Sequence, residues 1–72
     1  MLRNKVYRDG EIILEGVTYA EAMDTATNLV WEFGGKASVV TFTKRGKVVG
    51  RVVVDEDDVE GIKINRSEFY IN

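Results

Sequence analysis

The stretch GVTYAEAMDTATNLVWEFGG, residues 16–35, decides the fold. Thr18 followed three residues later by Glu21 forms a capping box, in which the hydroxyl takes a backbone N–H of the first turn and the carboxylate reaches back. Apolar side chains then recur at Tyr19, Ala22, Met23, Ala26, Leu29, Val30 and Phe33. That is the i, i+3, i+4, i+7 spacing of one helical face. Gly34 and Gly35 stop the helix, because glycine takes the left-handed conformation after a helix at no steric cost. The spacing predicts a helix over 18–33. Trp31, the one tryptophan, falls off the stripe on the side of Ala20, Asp24 and Thr27. Two readings stand. The ring curls over the rim of its own domain, or it anchors a contact, since tryptophan removes a large area from water with few rotors to freeze.

Working outward from the helix, both flanks read as hairpins. On the N-terminal side, RNKVYRDGEIILE (3–15) has Asp9-Gly10 between two strand-like runs. Asp-Gly favours a two-residue turn because both positions want positive φ. Pairing through it sets Tyr7 opposite Ile12 and Val6 opposite Ile13. On the C-terminal side, ASVVTFTKRGKVVGRVVV (37–54) is rich in β-branched residues and turns at Arg45-Gly46, with Lys44 opposite Lys47. An acidic loop (55–60) and a tail (61–72) follow. In the tail, Ile62–Ile64 reads as a short fifth strand and Phe69-Tyr70-Ile71 as an apolar end that docks.

The chain is therefore expected to be one α+β domain, 1–72, in ββαββ order, with one helix on one sheet face. Residues 5 to 54 resemble the ββαββ layout of the small immunoglobulin-binding domains of bacterial surface proteins. The likeness rests on the element order, the Gly16-Val17-Thr18 approach to the helix and its glycine-ended terminus. It implies that the first and last main strands lie adjacent and parallel, and it carries no function.

Alternation assigns faces. Ala37, Val39, Thr41, Thr43, Val48, Gly50, Val52 and Val54 form a small, β-branched face that suits the helix. The other face carries Ser38, Val40, Phe42, Lys44, Lys47, Val49, Arg51 and Val53, half apolar and half basic. In the first hairpin Tyr7, Ile12 and Leu14 point one way while Val6 and Ile13 point the other. One helix covers one face, so the sheet is expected to keep an apolar surface that something else covers: the tail, a second copy, or another protein.

The composition narrows the function. Among 72 residues there is neither Cys nor His, which removes the usual nucleophile activator and the commonest metal ligand. Gly34-Gly35 ends a helix rather than starting one, so no phosphate loop is formed. DEDDVEG (55–61) lacks the ligand spacing of a calcium loop. No enzyme activity, cofactor or metal is expected. Without a leader-like apolar core or a span of about 20 apolar residues, a cytoplasmic protein off the membrane is the default expectation.

Charge is segregated. Residues 36–54 hold Lys36, Lys44, Arg45, Lys47 and Arg51 and no acid. Residues 55–60 hold Asp55, Glu56, Asp57, Asp58 and Glu60 and no base. The sequence reading favours a small non-enzymatic protein-binding module, an inhibitor or adaptor such as a phage-encoded anti-defence protein, with homodimerisation among its options. Its contact residues are Trp31, Val40, Phe42, Val49 and Arg51. The alternative is a nucleic-acid-binding module in which Lys44, Arg45, Lys47 and Arg51 meet phosphates and Phe42 stacks on a base. The net charge of −2 runs against that alternative.

Overall fold

The computed structural model describes residues 2–61. The expected fifth strand at 62–64 and the apolar end at 69–71 lie outside the described residues. Strands β1 (Arg3–Arg8) and β2 (Glu11–Val17) precede helix α1 (Tyr19–Phe33), and β3 (Lys36–Phe42) and β4 (Val48–Asp55) follow it. A short helical segment, α2, covers 56–61. The α+β class and the ββαββ order are as the sequence implies.

The helix begins and ends where its chemistry dictates. Thr18 has extended backbone, and its Oγ1 accepts from the Glu21 N–H at 3.2 Å. The Ala22 N–H donates to the Thr18 carbonyl at 3.0 Å, starting the helical ladder. At the other end Gly34 donates to Val30 and turns to φ 73°, ψ −168°, a backbone region that essentially only glycine occupies.

The sheet order is β2-β1-β3-β4, antiparallel throughout. This corrects the expectation taken from the immunoglobulin-binding domains: β1 lies beside β3, and β1 and β4 do not meet. Side-chain pairing explains the choice. Asn4 Nδ2 donates to the Val17 carbonyl at 3.1 Å, and Thr41 Oγ1 donates to Asn4 Oδ1 at 2.7 Å. One buried amide on β1 thus ties together β2 and β3, and its polar atoms find partners that the interior otherwise lacks.

Registers depart from simple alternation at three places. Asp9 and Gly10 adopt φ 52° and 80°, the turn expected there, and Tyr7 pairs with Ile12. Val6, however, pairs with Leu14 and Asn4 with Val17, so Ile13 and Gly16 are the extra residues of bulges. The bulge brings Val6 and Leu14 to the helix side together, in place of the expected Val6–Ile13 pair. The second turn holds three residues, not two. Gly46 donates to Thr43 and Thr43 donates to the Lys47 carbonyl, with Gly46 at φ 88°. Gly46 supplies the left-handed position that such a three-residue loop requires. Thr41 then pairs with Gly50 but Phe42 with Val48, leaving Val49 as the extra residue.

Val6, Ala22, Ala26, Val30, Ala37, Val39, Val54 and Val59 form the core. The helix lies chiefly over the central strands β1 and β3. Its alanines keep the two layers close, and each fully buried valine contributes about 1.5–3 kcal/mol of transfer free energy. Val59 comes from α2, where the sequence reading has an acidic loop. Asp55 and Asp58 cap that segment reciprocally: the Asp58 N–H donates to Asp55 Oδ1 at 3.1 Å, and the Asp55 N–H donates to Asp58 Oδ2 at 3.0 Å. Acids at the start of a helix also suit its dipole. The acidic run is therefore helix-starting chemistry that carries Val59 into the core.

Candidate functional site

The helix shields one face of the sheet only. Opposite it, β1 presents Arg3, Lys5 and Tyr7, β3 presents Ser38, Val40 and Phe42, and β4 presents Arg51 and Val53, in register as Arg3↔Phe42, Lys5↔Val40↔Arg51 and Tyr7↔Ser38↔Val53. Ile12 adjoins through Tyr7, and Val48 through Phe42. Ile12, Val48 and Val53 are 49%, 53% and 47% exposed. The expectation of apolar area beyond the reach of the helix holds.

The middle of this face is already closed. Val40 is only 2% exposed, although it lies on the side away from the core cluster. Its neighbours are Lys5 and Arg51 across the strands and Ser38 and Phe42 along its own. Long cationic stems lay their methylenes over apolar surface while the charged heads stay in water. Lys5 Nζ sits 4.9 Å from the centroid of the Phe42 ring and 3.8 Å from Glu15 Oε2. The face has a buried valine at its middle, flanked by Lys5, Phe42 and Arg51, with exposed valine and isoleucine around it.

The five residues expected to form one contact do not share a patch. Phe42 and Arg51 are on the open face. Val40 lies beneath them and offers almost no area of its own. Val49 is the extra residue of a bulge, and Val48 takes the place beside Phe42. Trp31 belongs to the helical layer on the far side of the sheet, half-buried and packed against the core.

Trp31 and Phe33 exchange the roles that helical periodicity assigns them. Phe33, on the apolar stripe, is 69% exposed, with the Arg8 guanidinium 5.9 Å from its ring centroid. Trp31, off the stripe, shares one hollow with Val30, Glu56 and Val59 and another with Ala20, Asp24 and Thr27. The cause is α2: it adds Val59 to the core beside Val30 and so turns the apolar direction of the last helical turn toward Trp31.

The hairpin tip carries Lys44, Arg45 and Lys47, all exposed. Lys5–Glu15 is the only ion pair among the described residues, so the tip and the acidic 56–60 segment do not pair with each other. No group of three or more carboxylates suited to hold a metal ion occurs among the described residues. No helix among them is long and apolar enough to cross a membrane. No family model, characterised protein or solved structure matches the chain.

Proposed function

We propose that the protein is a small binding module that engages another protein through the open face of its sheet. The observation behind this reading is the patch centred on Phe42 and Arg51, apolar at Ile12, Val48 and Val53 and cationic at Arg3, Lys5 and Arg51. The partner it fits offers apolar side chains with carboxylates around them. Two copies meeting face to face fit poorly, because a two-fold axis through the patch sets these cations near their own copies. With neither Cys nor His in the chain, an inhibitor or adaptor role suits it better than catalysis, as in phage-encoded proteins that block host defence enzymes.

The nucleic-acid reading has one specific observation against it: Lys5 already occupies a face of the Phe42 ring on which a base would stack. If about four cations met phosphates, log K would fall against log salt with a slope of about −3 to −4.

The test begins with affinity capture from the native host and continues with titration of the captured protein. Phe42→Ala should weaken binding by about tenfold or more, as loss of an aromatic anchor does. Trp31→Ala, on the opposite layer, should stay within about twofold where folding is retained. The reverse pattern would place the contact on the helical layer and remove this reading.

A further inference from the structure

The sheet has two edges, and they differ. β2 is bulged at Ile13 and Gly16 and carries Glu11 and Glu15, devices that keep an edge from pairing. β4 is regular from Gly50 to Asp55, and among the described residues no strand lies on its outer side. The direction of its backbone groups follows from the turn. Thr43 N–H donates to Lys47, so Thr43 faces β4. Alternation from there turns the amides of Ala37, Val39 and Thr41 toward β4, and those of their partners Val54, Val52 and Gly50 toward β3. Arg51 and Val53 therefore point their N–H and C=O groups outward, as does Asp55, whose N–H is taken by Asp58.

We propose that two copies of this chain pair antiparallel along β4, about a two-fold axis through Val53, into one continuous sheet. The register follows from the charges. Residues that share a face must oppose each other, so the axis falls on one residue. Centred on Val53, the pairing sets Arg51 against the partner's Asp55, twice, and Val52 against the partner's Val54, twice; at each Arg51–Asp55 pair the ladder bond runs from the Arg51 N–H to the Asp55 carbonyl, since Asp58 holds the Asp55 N–H. Centred on Arg51, it sets two guanidiniums together. The pairing also resolves the charge segregation along the chain. β4 has a basic end, with Lys44, Arg45 and Lys47, and an acidic end, with Glu56, Asp57, Asp58 and Glu60. An antiparallel two-fold brings the basic tip of each copy to the acidic end of the other. Within one chain Arg51 and both blocks are without ion pairs among the described residues. The pairing takes up Arg51 and Val53 at one margin of the open face and leaves Phe42, Ile12 and Val48 in water; it does not rest on the function proposed for that face.

Sedimentation velocity on the full chain, over a concentration series reaching the millimolar range, tests the proposal. A reversible dimer that weakens as salt rises is expected, since exposed charge pairs are screened. Arg51→Glu sets a glutamate against the partner's Asp55 and should weaken the dimer about tenfold or more. Val53→Pro removes an outward N–H and no β3 bond, so it should abolish the dimer with the circular dichroism spectrum retained. Phe42→Ala should leave the dimer unchanged. A monomer throughout the series overturns the proposal, as does a dimer that salt strengthens or that Arg51→Glu leaves intact. If Val53→Pro unfolds the chain, Arg51→Glu alone decides.

Discussion

Gly34→Ala probes the joint between helix and sheet. At φ 73° and ψ −168° an L-residue costs about 1–3 kcal/mol in backbone strain. A Cβ there falls 2.5 Å from Glu56 Oε1, the atom that accepts the Gly35 N–H at 2.8 Å. The carboxylate must swing away, and losing its bond adds about 0.5–1.5 kcal/mol, toward the lower end because the bond is exposed. The expected loss is about 2–4 kcal/mol, against roughly 4–11 kcal/mol for a domain of this size. Urea denaturation followed by far-UV circular dichroism should show the midpoint fall by roughly 2 M or more. Two further variants separate the contributions. Glu56→Ala alone should cost about 0.5–1 kcal/mol, and combined with Gly34→Ala it should cost less than the sum, because one bond cannot be lost twice. D-alanine at position 34 makes the same φ/ψ pair ordinary extended backbone and should restore most of the stability. A loss below about 0.5 kcal/mol for Gly34→Ala would refute the left-handed helix exit and the seating of Glu56 on it.

Two other substitutions probe features beyond the core. Asn4→Leu strands the Thr41 hydroxyl and the Val17 carbonyl, and should cost about 2–4 kcal/mol in urea denaturation. Asn4→Leu with Thr41→Val should recover part of that loss, because the hydroxyl is then no longer left unmet; no recovery would mean that the bridge is not what holds β1 beside β3. Asp55→Ala removes half of the reciprocal cap on α2 and should lower the melting temperature by about 5 °C for a cost near 1 kcal/mol. An unchanged melting temperature would detach α2 from the stability of the fold.

What the sequence by itself determined is what short-range chemistry controls. Thr18 and the glycine pair delimit the helix within a residue or so, because capping depends on neighbouring backbone groups. Asp9-Gly10 sets its turn through φ alone. Period-two alternation puts Ala37, Val39 and Val54 under the helix and leaves Phe42 and Arg51 outside it, since successive side chains must point to opposite faces.

Only the tertiary structure decided the rest, and each case turns on residues far apart in the chain. Strand order depends on which neighbours satisfy Asn4, a polar residue in a charged stretch with no local sign of burial. The extra residues Ile13, Gly16 and Val49 arise where two strands must twist together, and each bulge overrides the alternation that sequence reading assumes. Whether Trp31 or Phe33 faces inward depends on Val59 arriving from α2, and Val40 is buried although alternation puts it on the side away from the helix. Periodicity reads one element at a time; burial is settled by what the rest of the chain lays against it.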